Sequence, residues 1–259
     1  MELGLSGKAA IVTGASKGLG RAIARELAGE GANVAICSRG AGEVEAAAEE
    51  LRATGRNIYA QAADVTDPAA VTDFVERSAQ ALGGLDILVN NAGRAHPGTF
   101  ETLSDADWQS DLDVKLFSMI RCSRAALPHL RARGGGRVVN INAVFGKYPD
   151  PAFFATSVNR AACLSFTKAL AIELAPDGIL VNSVNIGYVE TPQWERIHER
   201  RAPDLRREEF LRRTAADVPL GRFGTPEDVS AVVAFLASER AGYLTGASID
   251  VAGGFGRYL

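Results

Sequence analysis

The sequence predicts an α/β fold, a parallel sheet covered by helices on both faces, on three observations. Apolar strand-like runs alternate with helix-period segments from end to end, the strands lack a polar face, and a glycine turn joins the first strand to the first helix. The chain has 259 residues, 47% hydrophobic and 23% charged, enough apolar material for a substantial core in an ordinary globular protein. Its net charge of −3 gives no basis for binding nucleic acid or an anionic membrane. No uncharged apolar run nears the roughly 20 residues of a membrane helix. Met1–Ser6 lacks the basic-then-apolar pattern of a secretion signal. Cys37, Cys122 and Cys163 are odd in number, far apart and set in apolar segments, which reads as buried reduced thiols in a cytoplasmic protein, with no metal site.

Ala9–Thr13 reads as the first strand. Thr13-Gly14-Ala15-Ser16-Lys17-Gly18-Leu19-Gly20 follows and opens into a helix over about Leu19–Ala28, with Leu19, Ala22, Ile23 and Leu27 at helical spacing. Such a turn gathers bare N–H groups and the positive end of a helix dipole at one point. A diphosphate suits that point, because the amides donate and no Cβ blocks its approach. The second strand, Asn33–Cys37, runs into Arg39. In a dinucleotide site that strand end faces the adenosine ribose, where an acid takes the 2′-hydroxyl and a cation a 2′-phosphate. The acid is absent, Arg39 is present and Lys17 adds a second cation, so NADP(H) is expected over NAD(H). After a helix at Glu43–Thr54, the strand Ile58–Ala62 leads to Asp64-Val65, where a carboxylate can accept from an adenine amino group. A helix at Ala69–Leu82 precedes the strand Ile87–Asn90, and Asn91-Ala92-Gly93 then lets the backbone pass close to a ribose.

The second half continues the alternation: helix Asp105–Ala132, strand Val138–Asn142, helix Phe153–Ala175, strand Val181–Asn185, helix Pro226–Ser238 and strand Ser248–Val251. Thr191–Val218 departs in composition, rich in Arg and Glu around His198–Arg201 and carrying Trp194 and Phe210. It reads either as a solvated helical excursion or as a lid over a ligand. With no repeat, low-complexity tract or linker, 1–259 is expected to be a single domain.

Thr13–Gly20, Asp64-Val65, Asn90–Gly93, Pro219–Arg222 and Asp250–Gly254 together resemble the short-chain dehydrogenases/reductases of the single-domain type, closest to the beta-ketoacyl-acyl-carrier-protein reductases. The similarity spans essentially the whole chain. It implies a Rossmann-type three-layer sandwich with a seven-stranded parallel sheet. It also implies a homodimer or homotetramer formed through the two long helices near Asp105–Ala132 and Phe153–Ala175.

The family's catalytic set is Asn, Ser, Tyr and Lys, and this sequence carries none of them at the matching positions. Thr156 stands for the tyrosine, Arg160 for the lysine four residues on, Ala143 beside Asn142 for the serine, and Lys115 for the asparagine. The Pro-Gly pair after the sixth strand is Ile186-Gly187. A threonine hydroxyl is too weak an acid to act unaided, and arginine relays no protons because its pKa stays above about 12. Arg160 retains the capacity to bind ribose hydroxyls. Lys115 near Arg160 predicts an anionic ligand or a depressed lysine pKa. His96 and Tyr188, in loops bordering the family's substrate pocket, are further candidate acids, Tyr188 if a cation such as Lys115 lowers its pKa. Three functions remain open on these residues. One is an NADP(H)-dependent reductase acting on a carbonyl or other polarised double bond of a small molecule through a rebuilt site. A second is a degenerate subunit pairing with an active homologue in a mixed oligomer. A third is lyase or isomerase chemistry in the same pocket.

Overall fold

The computed structural model describes residues 2–256 and contains a seven-stranded, all-parallel sheet in the order β3-β2-β1-β4-β5-β6-β7. The strands are β1 (Ala9–Thr13), β2 (Asn33–Ser38), β3 (Ile58–Ala62), β4 (Ile87–Asn90), β5 (Gly136–Ala143), β6 (Ile179–Ile186) and β7 (Ser248–Val251). β5 and β6 extend beyond the expected Val138–Asn142 and Val181–Asn185, because they pair with each other along eight residues. β1 is buried at every position, paired to β2 on one side and β4 on the other, while edge strand β7 is half-exposed. The order reverses between β1 and β4, so a crevice opens at the carboxyl ends of these two strands.

Alternate residues of β1 feed opposite faces, as a pleat requires. Ala10 and Val12 pack with α1 (Gly18–Gly29), α2 (Ala41–Arg52) and α9 (Pro226–Ala237) through Ile23, Leu27, Val44 and Val233. Ala9 and Ile11 pack on the other face with α3 (Pro68–Leu82), α5 (Ser118–Ala132) and α6 (Phe154–Leu174) through Phe74, Leu130 and Ala171. Helix starts carry their expected chemistry. Asp67 caps α3 by accepting from the Ala69 N–H at 2.9 Å, and Thr225 with Asp228 forms a reciprocal box at α9.

The expected single helix over Asp105–Ala132 is interrupted. α4 (Asp105–Leu112) and α5 are joined by one π turn, Asp113–Phe117, in which the Ser118 N–H reaches back to the Asp113 carbonyl. The segment Thr191–Val218 forms α7 (Pro192–Arg201) and α8 (Arg207–Thr214). A buried polar chain fixes α6 against the sheet: Asn90 Nδ2 donates to Asn140 Oδ1 at 2.8 Å, Asn140 Nδ2 to Thr167 Oγ1 at 2.9 Å, and Thr167 Oγ1 to the Cys163 carbonyl at 2.8 Å. The three cysteines are buried and free, and burial pushes the Cys37 thiol up to about 12. Among the described residues, no helix is long and apolar enough to cross a membrane.

The glycine turn tolerates no side chain at Gly20, where a Cβ would collide with the Gly14 carbonyl oxygen and Asn91 Nδ2. Gly20→Ala is therefore expected to lower stability by about 1–3 kcal/mol in denaturant unfolding, as overpacking does. An unchanged midpoint would mean that the turn relaxes freely.

Candidate active site

A cavity of about 1180 Å³ opens at the crevice, more than the space of a single drug-sized ligand. One end is made of backbone. Gly14 and Gly18 have φ of +65° and +56°, and a Cβ on Gly14 would lie 2.8 Å from Ala92 Cα. Gly14, Ser16 and Lys17 line the cavity, followed by Gly18, Leu19 and Gly20 at the start of α1. The first N–H groups of that helix have no partner within it, so they and the helix dipole face the cavity. Asn91 ties the turn to β4: its Nδ2 donates to the Thr13 and Gly14 carbonyls at 2.9 and 3.1 Å. Thr13 Oγ1 in turn accepts from the Asn91 and Ala92 N–H groups at 3.0 and 3.1 Å.

Farther along the same wall stand Arg39, Asp64, Val65, Asn91, Ala92 and Gly93. Arg39 is exposed, and among the described residues no carboxylate lies within ion-pair distance of it. Lys17 differs from expectation: its Nζ is 3.3 Å from Glu43 Oε1, so it is a paired and not a free cation. Both partners are more than half exposed, and such a pair is weak enough to reopen for an anion. Burial pushes the Asp64 carboxyl up, but the backbone N–H and hydroxyl of Thr66, with Arg39 and Arg94 nearby, hold it below the usual range.

The other end is made of side chains. The π turn brings Lys115 inward until it and Asp111, one turn before it in α4, are both at 0% exposure. Lys115 Nζ donates to Asp111 Oδ1 and, at 2.8 Å, to Thr156 Oγ1. Asn159 Nδ2 donates to the second Asp111 oxygen at 2.9 Å. Burial and then the Arg160 charge push the Lys115 ammonium down to about 8, against the pull of Asp111. The direction is that expected from two neighbouring cations, but burial is the larger cause and the Arg160 charge the smaller. Lys115, Thr156 and Arg160 all line the cavity, as does Gly187 beyond β6. Arg160 donates to the Ile141 carbonyl at 2.9 Å and sits against Gly93, while its Nε is buried without a partner.

Three expectations for this end are corrected. Asn142 does not reach the cavity: Ile141 and Ala143 line it, so strand alternation turns Asn142 the other way, where its Nδ2 donates to the Arg160 carbonyl at 3.0 Å. The His96 ring is also off the wall, 3.3 Å from Asp107, and only its carbonyl touches the network by accepting from Thr156 Oγ1 at 3.4 Å. Tyr188 lines the cavity, but burial, followed by Asp150 and Asp217, raises its pKa; Lys115 does not lower it. Asp111 and Asn159 escaped the sequence reading. The one available signal for Asp111 was a carboxylate four residues before a lysine. Residues 191–194, 196 and 197 line the cavity, and Gln193 Oε1 accepts from the Ala95 N–H at 3.0 Å. Among the described residues, no cluster of His, Cys, Asp and Glu is built to hold a metal.

The family model described as enoyl-(acyl carrier protein) reductase matches residues 14–256. Oxidoreductase UcpA of Escherichia coli strain K12 is 39% identical over 251 residues, covering 96% of this chain and 95% of that protein. L-sorbose reductase from Gluconobacter frateurii, solved with NADPH and L-sorbose, superimposes with a TM-score of 0.95 at 34% identity over 100% of both chains. A short chain oxidoreductase from Pseudomonas aeruginosa PAO1, solved with NADPH and described as containing an atypical catalytic center, gives 0.92 at 37% identity over 98% of this chain and 99% of that one. The chain belongs to the short-chain dehydrogenase/reductase family.

Removing the Asp111 charge should show how far it sustains the buried lysine. Asp111→Asn is expected to destabilise the protein by about 3–5 kcal/mol near neutral pH, because a buried cation loses its partner. The loss should shrink as pH rises, since Lys115 then sheds its proton more readily in the folded chain than in the unfolded one. Denaturant unfolding at several pH values measures both, and a pH-independent loss would place the effect in packing alone.

Proposed function

We propose that this protein is an NADP(H)-dependent reductase of a small carbonyl compound in which Lys115, acting through Thr156, replaces the family's tyrosine as the proton source. The observation that carries the reading is the buried Lys115–Thr156 contact, facing the same cavity as the glycine turn. The nucleotide end fits the cofactor by its own construction. The cradle at Gly14–Gly20 admits a diphosphate, Arg39 stands without a carboxylate where a 2′-phosphate would lie, and Arg160 beside Gly93 is placed for a ribose. When bound, the reduced nicotinamide supplies the hydride.

The chain's own residues handle the proton. The Thr156 hydroxyl donates to the carbonyl oxygen as that oxygen gains electron density, and takes a proton from the Lys115 ammonium in the same movement, leaving an alcohol and a neutral amine. Its bond to the His96 carbonyl is long at 3.4 Å, so turning the hydroxyl toward substrate sacrifices little. Lys115 and Arg160 also stabilise the developing alkoxide from buried positions. Asp111 and Asn159 hold the ammonium in place as positioning residues. A degenerate subunit would have no use for a lysine kept at zero exposure inside the cavity, which disfavours that alternative. Lyase or isomerase chemistry would want Lys115 or His96 as a base on the wall; His96 faces away, and at neutral pH Asp111 holds Lys115 as the ammonium. Cytoplasmic placement and a homo-oligomer are part of the same reading. Val158 and Ile172, apolar and exposed on α6, offer a face to a second subunit.

Two measurements test it. In calorimetric titration NADPH should bind at least about tenfold more tightly than NADH, and Arg39→Ala should remove most of that gap. Equal affinities would defeat the assignment of Arg39. The rate of ketone reduction should hold below pH 8 and fall as pH rises through about 8, where Lys115 loses its proton. Thr156→Val should lower kcat by about 10²–10⁴ without weakening NADPH binding. Tight NADPH binding with no reduction of any ketone or aldehyde would overturn the catalytic half.

A further inference from the structure

The cavity beyond Thr156 is walled differently from its nucleotide end. Phe145, in the turn after β5, and Phe153, just before α6, stack with ring centroids 5.3 Å apart and planes 16° apart. Tyr188, after β6, meets Trp194 of α7 edge-on at 5.3 Å. All four residues line the cavity, and the Arg201 guanidinium lies 5.5 Å from the Phe153 ring centroid. The four rings form one surface because Phe255 lies behind both pairs, 6.3 Å from Phe145 and 5.1 Å from Tyr188. Phe223 stacks on Tyr188 at 5.6 Å and meets Trp194 edge-on at 4.8 Å, so the orientation of these rings is fixed by packing.

Three of the polar groups beside this wall already bond to the protein, while the exposed Arg196 adds a cation at its edge. Gln193 accepts from Ala95, Thr156 lies between Lys115 and the His96 carbonyl, and Arg160 donates to Ile141. A substrate bearing many hydroxyls would have to leave several of them desolvated and unpaired against rings. A flat aromatic substrate meets the wall on better terms, because its face and edge complement the quadrupoles of fixed rings, which a saturated ring of equal size does not.

We propose that the substrate is an aromatic ketone or aldehyde, its ring seated against Phe145, Phe153, Tyr188 and Trp194 with the carbonyl oxygen at Thr156. This rests on the reductase reading and narrows it to a substrate class. Reduction balances as before: the carbonyl carbon gains the hydride, the oxygen gains the proton, and the ring is untouched.

The decisive comparison uses β-tetralone and β-decalone, which share a carbon skeleton and carbonyl position and differ in one aromatic ring, with L-sorbose as a hydroxyl-rich ketose. We expect kcat/KM with NADPH to be at least about tenfold higher for β-tetralone than for β-decalone, and L-sorbose to fall below both. Phe145→Leu and Trp194→Leu should each bring the tetralone-to-decalone ratio toward one, with the NADPH dissociation constant, measured alongside, within twofold of the parent as a check on folding. A parent ratio near or below one, or L-sorbose reduced as well as β-tetralone, overturns the proposal. Calorimetric binding of the two bicyclic ketones to the NADP⁺-loaded protein separates the two levels. Tighter β-tetralone binding without any turnover would sink the reductase reading and keep the aromatic site, whereas turnover with equal binding and equal rates would do the reverse.

Discussion

A lysine at zero exposure is tolerable only where its surroundings replace water, and that constraint organises the chemical half of this protein. An ammonium left alone in such a place would shed its proton or unfold its neighbourhood. Here the replacements come from two elements: Asp111 from α4, and Thr156 and Asn159 from α6. The two helices must therefore keep their relative height and rotation. The polar chain from Asn90 through Asn140 to Thr167 supplies part of that, locking α6 to the sheet about three turns farther along the same buried face.

The two ends of the cavity are built by different means. At the nucleotide end the determinants are backbone conformations: left-handed glycines, a helix start, and an asparagine bridging two strand ends. Such a cradle depends little on which side chains surround it. At the reaction end every determinant is a side chain whose direction is set by tertiary packing, and a few substitutions there change the proton chemistry while leaving the sheet as it is. This division explains how a chain can keep the family architecture from residue 14 to residue 256 while the side chains of its reaction end are free to differ.

The same division set what could be read from sequence. The seven strands, their parallel pairing and the cavity-lining positions from Gly14 to Gly93 were legible, because glycine, strand and helix signals are local and the crevice follows from strand order. Lys115, Thr156, Arg160 and Tyr188 line the cavity, but side-chain direction was not legible. Asn142 was expected in the cavity and lies one pleat off it, His96 turns to Asp107, and Lys17 meets Glu43 from the following helix. Asp111 and Asn159 were missed because their role exists only where α4 meets α6. Nothing in Asp113–Phe117 announces a π turn, since its residues are ordinary in a helix. The aromatic wall was visible only in part, as Tyr188 and Trp194, because Phe145 and Phe153 lie on separate loops.

A π turn is an α-helix carrying one surplus residue, and this one separates two stretches whose faces are out of phase. Upstream, Asp111 must point inward to Lys115 and Asn159; downstream, Met119, Cys122 and Ala126 must point into the core. In a regular helix of the same length, a single residue slip turns one stretch by about 100° relative to the other, as 3.6 residues per turn dictates. The two requirements are met together only with the surplus residue present. Point substitutions within 113–117 leave this phase intact, but losing any one residue there would force a choice between a packed core and an inward-facing carboxylate. The reading frame of this helix, as much as the identity of Lys115 within it, is what lineage change in this protein would have to preserve.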